Sequence, residues 1–264
     1  ADGVQSRQTL FVWYCQKYQS VLLKHALPKR RIYMEVYRIH MGKAKCAVDL
    51  GDGSERGEYV DQDYILAKMG RPHRSISLMY CYYPLDEGWP GRASVVHASP
   101  DVSFAWDYPY DDYFTYKGGL GGNTDGEPFN YMREIRQHGQ DVSLTLTIDP
   151  HVSDEHLAAI GEDLKSFGRV FLRINHEATG NWFSFNKRCT YQEVADFFVR
   201  ASRIIKEHAP NVQTIICIGG IEDLSKEEME KEAEFAQTIP AADIWSVDKY
   251  MALHWGWPYD VAEH

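Results

Sequence analysis

Residues 141–177 read DVSLTLTIDPHVSDEHLAAIGEDLKSFGRVFLRINHE, in which two apolar runs flank a helical pattern. The first run, Asp141–Pro150, stops at an Asp-Pro pair, and the second run is Arg169–Glu177. Nearly continuous apolar runs of this length are typical of parallel strands that are buried on both faces. Between the runs, Ser153 can cap a helix over Asp154–Phe167. The stretch therefore predicts a strand, a helix and a second, parallel strand.

The same alternation extends in both directions from this stretch. Further apolar runs predict strands at Ala44–Leu50, Ser75–Pro84, Val212–Gly219 and Ala242–Tyr250. Capping boxes predict helices between the later runs, and they are formed by Thr190 with Glu193 and by Ser225 with Glu228. Strands and helices that alternate at roughly 30-residue spacing indicate βα units and a parallel sheet, so the predicted fold class is α/β.

Two regions interrupt this alternation. Residues 1–42 are interpreted as an N-terminal extension that packs on the domain formed by residues 43–264. Residues 85–130 form a long insertion, rich in Trp and Tyr, that contains the glycine run Gly118–Gly126. Long loops in compact domains are usually functional or disordered. The glycine run lacks the Gly-Lys-Ser/Thr ending of a phosphate-binding loop, so it does not predict a nucleotide site.

The composition excludes several classes of protein. The 264 residues are 44% hydrophobic, which is too apolar for a mainly disordered chain, yet no apolar run approaches the ~18 residues of a membrane span. The formal charge of -10 argues against nucleic acid as a partner, because such binding depends on basic side chains that neutralise phosphates. The 7 Trp and 17 Tyr indicate stacking on sugars or other rings.

The cysteines and the first residues bear on the compartment. The 5 cysteines form no Cys-x-x-Cys pair and are interpreted as buried thiols, with one disulfide left open. The chain starts Ala1-Asp2-Gly3 without Met, as a mature secreted form or a trimmed chain would. We expect a secreted, periplasmic or cell-surface location, and a cytoplasmic location stays open.

The densest group of reactive side chains is the stretch RINHEATGNWFSF, which begins at Arg173. Glu177 ends a predicted strand there, with His176 before it and Trp182 and Phe183 after it. In a (β/α)8 barrel, catalytic groups lie at the carboxyl ends of the strands. A carboxyl buried among aromatic rings would have a raised pKa and could donate a proton. The alternative is that Glu177 simply forms an ion pair with Arg173 or a lysine.

The pattern Arg-x-x-His-Glu-x-x-Gly-x-Trp-Phe resembles the fourth-strand signature of glycoside hydrolase family 26. This family contains β-mannanases, some β-1,3-1,4-glucanases and β-1,3-xylanases, and it belongs to the retaining (β/α)8 glycosidases of clan A. The resemblance covers roughly residues 43–255 and departs at Thr179, where the family usually has Asn. It implies a (β/α)8 TIM barrel that cleaves a plant-type β-glycan internally, β-mannan above all, and that needs no cofactor. The partner it implies is a polysaccharide or oligosaccharide.

The resemblance also implies roles for individual residues. Glu177 matches the general acid/base of the family. The side chains expected to contact or orient the substrate are Arg173, His176, Trp182, Phe183, Tyr250, Trp255 and Trp106. Two alternatives stay open at this point. One is a clan A barrel that acts on another glycan, and the other is a non-catalytic glycan-binding protein or truncated relative that lacks the nucleophile.

The second carboxylate is missing from the pattern. Retention needs two carboxylates about 5–5.5 Å apart, and the family places the nucleophile on the seventh strand. A barrel uses about 31 residues for each of its eight units, but here the sixth predicted strand ends only at Tyr250, so about two βα units are missing. Glu263 follows that strand too closely, Glu222 follows the wrong strand, and Glu35 would require a circular permutation. We expect a further polypeptide segment to complete the barrel and to supply the nucleophile.

Other chemistries find little support in the sequence. His151, His156 and His254 lack the spacing of metal ligands, so we interpret them as solvated or hydrogen-bonded histidines and expect no metal. The chain contains no Gly-x-Ser-x-Gly elbow, which argues against a serine hydrolase.

Overall fold

The computed structural model describes residues 74–91, 114–181, 183–218 and 233–247, together with Ala67 and Gly70. The strands are β1 (Ser75–Tyr82), β2 (Phe114–Thr115), β3 (Asp141–Ile148), β4 (Val170–Ile174), β5 (Val212–Ile218) and β6 (Ile244–Val247). The helices with described bounds are α1 (Phe129–Gln137), α2 (Asp154–Leu164), α3 (Ser184–Arg188), α4 (Tyr191–His208) and α5 (Thr238–Ala241). The predicted N-terminal extension, the predicted strand Ala44–Leu50 and the capping box at Ser225 lie outside the described residues.

All six strands form one parallel sheet in the order β2-β1-β3-β4-β5-β6. The predicted α/β class and parallel sheet are confirmed, with β1 and β3 to β6 inside the predicted runs. The short strand β2, which pairs with Tyr80 and Cys81, was not predicted, nor was α1, because both lie within or at the end of the stretch interpreted as an insertion. In the described part of the chain the sheet is open, with β2 and β6 at its edges, so closure into a barrel stays a prediction.

The two faces of the sheet differ in polarity because successive side chains along a strand point to opposite sides. One face carries the aligned row Leu78, Leu144 and Leu172, and its apolar side chains form one buried cluster with those of the helices. The opposite face carries polar side chains that are nevertheless buried: Ser77, Ser143, Thr145, Thr147 and Arg173. Every residue of β3 is buried, so both faces of this central strand are covered.

The helix ends follow local chemistry closely. Thr190 and Glu193 form the predicted capping box at the start of α4, where the Glu193 amide donates to Thr190 Oγ1 over 3.2 Å. The predicted apolar face of α4 is also confirmed, since Val194, Phe198 and Ile205 are buried. The predicted helix over Asp154–Phe167 is shorter than expected and ends at Leu164. Its N-cap is Ser153 as predicted, but the Ser153 side chain makes no capping hydrogen bond.

The glycine run packs a loop against the sheet. Gly119 has φ +80°, and its amide donates to Asp163 Oδ2 of α2 over 2.7 Å. The next amide, that of Leu120, donates to the Tyr82 hydroxyl of β1 over 3.2 Å. A Cβ atom at Gly119 would overlap that hydroxyl, so glycine is needed there for close approach as well as for the left-handed backbone.

Replacing Gly119 with alanine should therefore destabilise the protein. The left-handed backbone alone costs about 1–2 kcal/mol for a residue with a Cβ, and displacement of Tyr82 adds to that cost. The matched control is Gly121→Ala, because Gly121 has φ +71° but a Cβ atom added there would meet nothing within 4 Å. Urea unfolding of both variants separates the cost of the left-handed backbone from the cost of displacing Tyr82. Equal losses of unfolding free energy would contradict the close packing of Gly119 against Tyr82.

Candidate active site

The candidate site lies at the carboxyl edge of the sheet. Because the strands are parallel, the residues that follow β1, β3 and β4 are all at this edge. Asn175, His176 and Glu177 come directly after β4, and Arg173 lies within it. The sheet therefore places the predicted catalytic glutamate where ligands usually bind in parallel α/β folds.

The turn after β4 has an unusual backbone that both neighbouring strands hold in place. Asn175 and Glu177 have φ values of 52° and 47°, in the left-handed region that Asn tolerates and Glu does not favour. The Ile148 amide of β3 donates to Asn175 Oδ1 over 2.7 Å. On the other side, the Ala178 amide donates to the Cys217 carbonyl of β5 over 2.7 Å. Strained backbone of this kind is concentrated at functional sites.

The side chains of this turn are buried around β4. Glu177 is 7% exposed, His176 8% and Arg173 3%. An Arg173 guanidinium nitrogen lies 3.5 Å from His176 Nδ1 in a buried contact. The His176 ring meets Phe183 edge to face, with 6.0 Å between centroids. The structure thus places His176 in contact with both Arg173 and Phe183, and Glu177 follows His176 in the same turn.

The remaining predicted site residues cannot be placed in this way. Trp106, Trp182, Tyr250 and Trp255 lie outside the described residues. The same is true of the candidate second carboxylates that the sequence raised, Glu35, Glu222 and Glu263. Their roles therefore stay predictions.

The structure adds a group that the sequence analysis missed, which we call the Arg188 cluster and which consists of Tyr83, Asp86, Asp149 and Arg188. Arg188 Nη1 donates to Asp149 Oδ2 over 2.8 Å and to Asp86 Oδ1 over 3.0 Å, and Nη2 donates to Asp86 Oδ2 over 2.8 Å. The guanidinium carbon lies 4.6 Å from the centre of the Tyr83 ring. Burial opposes the charge of Arg188, but the Asp86 hydrogen bonds and the nearby negative charges hold its pKa above the usual value.

Two further titratable side chains, those of His151 and Cys189, extend from Asp149 of the cluster. Asp149 Oδ1 lies 3.0 Å from His151 Nδ1, and His151 Nε2 lies 3.7 Å from Cys189 Sγ. Burial, followed by the charges of Glu193 and Asp149, raises the pKa of the Cys189 thiol to about 11. The thiol is therefore protonated at neutral pH. The arrangement resembles a Cys-His-Asp triad in geometry, but it lacks the thiolate that acts as the nucleophile of such a triad.

Two of the three histidines interpreted as solvated or hydrogen-bonded make hydrogen bonds within the described residues. His151 contacts Asp149 as described, and His156 Nδ1 lies 2.7 Å from the Tyr82 hydroxyl. Within the described ranges, no group of three or more His, Cys, Asp or Glu side chains is arranged to hold a metal ion. Among the same residues, no helix combines the length and the apolar character needed to cross a membrane.

The fold and the site together define an α/β protein with a buried glutamate at the carboxyl edge of a parallel sheet. Comparisons of the chain with protein-family models, with curated proteins and with solved structures found no match. The function is therefore inferred from the residues and the geometry of the site.

Proposed function

We propose that this chain is part of an endo-acting, retaining β-glycoside hydrolase similar to glycoside hydrolase family 26, with β-mannan as its preferred substrate. Glu177 is the general acid/base. The observation that carries the proposal is the placement of Glu177, a buried carboxyl directly after β4 in a strained turn that β3 and β5 both hold. A polymeric β-glycan fits a secreted, periplasmic or cell-surface enzyme.

The proposed fold is a (β/α)8 barrel to which the chain contributes about six units. The strands β1, β3, β4, β5 and β6 are neighbours in chain order, as in a barrel, and the two-residue strand β2 lies on the outer side of β1. The buried polar face fits the interior of a barrel, where side chains fill the space. At the β6 edge, Trp245 and Val247 are 41% and 36% exposed, on the face that helices cover elsewhere among the described residues.

The chemistry assigned to Glu177 has two steps. The carboxyl first donates its proton to the glycosidic oxygen while a second carboxylate attacks the anomeric carbon, and the Glu177 carboxylate then removes a proton from water. Arg173 contacts and orients His176, which borders the same turn. In this proposal the nucleophile lies outside the described residues, as do the stacking platforms expected at Trp182 and Tyr250.

The test is product analysis with the purified protein. The protein is incubated with β-1,4-mannan and, separately, with mixed-linkage β-glucan. We expect reducing ends to be released faster from the mannan. Proton NMR of the fresh products should show the β anomer before mutarotation, because two displacements retain the configuration. Initial formation of the α anomer would overturn the retaining mechanism. Oligosaccharide binding without any released reducing ends would instead identify a glycan-binding protein.

A further inference from the structure

We propose that Arg188 is a positioning residue for Glu177, and that the Arg188 cluster fixes the catalytic turn through the short helix that follows it. The proposal rests on the proposed function, because it assigns Arg188 a role in proton transfer by Glu177. Arg188 acts on Glu177 indirectly. The connection runs through the short helix α3 and the side chain of Asn186.

The first step is that both ends of α3 are attached to residues that follow the strands β1 and β3. α3 follows Phe183 immediately and begins at Ser184, whose hydroxyl lies 2.9 Å from the Tyr83 hydroxyl in a buried contact. Its last residue is Arg188, which joins Asp86 after β1 to Asp149 after β3. A five-residue helix has little stability of its own, so these contacts determine where it lies.

The second step is that α3 is bonded back to the turn that carries Glu177. The Asn186 side-chain amide donates to the Ala178 carbonyl over 2.9 Å and to the Gly180 carbonyl over 2.7 Å. The Gly180 amide in turn donates to the Glu177 carbonyl over 2.6 Å. A shift of α3 therefore displaces the backbone on the carboxyl side of Glu177, while β3 and β5 hold the turn on its other sides.

The third step is that the Arg188 interaction depends on the shape of the guanidinium. The Arg188 side chain is 24% exposed, and its two carboxylate partners, Asp86 and Asp149, are 20% and 4% exposed. A planar fork can join two carboxylates at fixed geometry, whereas a lysine ammonium is a single point charge. Arg188→Lys thus keeps the charge near Asp149 but loosens α3. Misplacement of a catalytic group by about 1 Å can lower turnover by about 10²-fold.

The experiment compares two aryl β-mannobiosides that differ in how much acid assistance they need. Phenol is a poor leaving group and requires the proton of Glu177, whereas 2,4-dinitrophenol leaves without it. Arg188→Lys should lower kcat/KM for the phenyl substrate by about 10- to 100-fold and leave the dinitrophenyl substrate nearly unchanged. The matched control is Arg203→Lys, since Arg203 is 58% exposed and pairs along α4 with Glu207. It should change neither rate.

The other outcomes separate this inference from the proposed function. An equal fall on both substrates, or no fall on either, overturns the positioning role of Arg188. If Glu177→Ala shows the leaving-group dependence and Arg188→Lys does not, the inference fails while the proposed function stands. A wild-type protein that cleaves neither mannobioside overturns both. If circular dichroism shows Arg188→Lys to be unfolded, Asp86→Asn provides the same comparison, because it weakens the cluster while Asp149 keeps its cation.

Discussion

Glu177→Ala is expected to lower the rate of β-mannan hydrolysis by about 10²–10⁴-fold, the usual contribution of a general acid/base. The alanine variant can no longer protonate the glycosidic oxygen, and it can no longer deprotonate the water that releases the sugar from the enzyme. The fold should be retained, because Glu177 lies in a turn at the edge of the sheet rather than in a strand. Release of reducing ends measures the loss, and circular dichroism checks the fold.

Small nucleophiles distinguish this role from a structural one. Azide attacks without needing a base, so added azide should restore turnover of the 2,4-dinitrophenyl substrate by Glu177→Ala and yield a β-glycosyl azide. The matched control is Glu207→Ala, whose carboxylate is 56% exposed on α4 and should not affect the rate. Unchanged activity of Glu177→Ala would refute the assignment, and a loss of activity that azide does not restore would indicate a structural role.

Much of the sheet could be predicted because its signals are local. The runs around β3 and β4 are apolar over their whole length, and the capping box at Thr190 is read from four neighbouring residues. The strand β2 has only two residues, which is too short for any periodicity to register. The helix α1 buries Phe129, Met132 and Ile135, which are spaced three residues apart. This helical spacing was not recognised, because the other residues of α1 are mostly polar and because a glycine run precedes the helix.

The candidate site divides in the same way. Glu177 and its neighbours could be predicted because Arg173, His176 and Phe183 lie within one short segment of the chain. The Arg188 cluster could not, because its members are brought together only by the sheet and Asp86 is 102 positions from Arg188. The Asp149-Pro150 pair was interpreted simply as the end of a strand. A carboxylate that follows a buried parallel strand was the one signal that could have pointed to Asp149.

The strand that carries the site should also dominate the stability of the protein. Leu172 is fully buried in β4, aligned with Leu144 on β3 and Thr214 on β5. Leu172→Ala removes a side chain that neighbouring strands surround, so we expect a loss of about 2–5 kcal/mol in the free energy of unfolding. Urea denaturation measures this loss as a lower midpoint with an unchanged slope.

The same substitution at the surface provides the comparison. Leu85 is 54% exposed, so Leu85→Ala should change the free energy of unfolding by no more than about 0.5 kcal/mol. Similar losses for the two variants would contradict the central position of β4. Well below its unfolding midpoint, Leu172→Ala should still cleave β-mannan, because Leu172 belongs to the apolar face of the sheet whereas its neighbour Arg173 belongs to the opposite face. We therefore expect substitutions on the apolar face of β4 to lower stability, and substitutions of Arg173 on its opposite face to lower activity through the turn that carries Glu177.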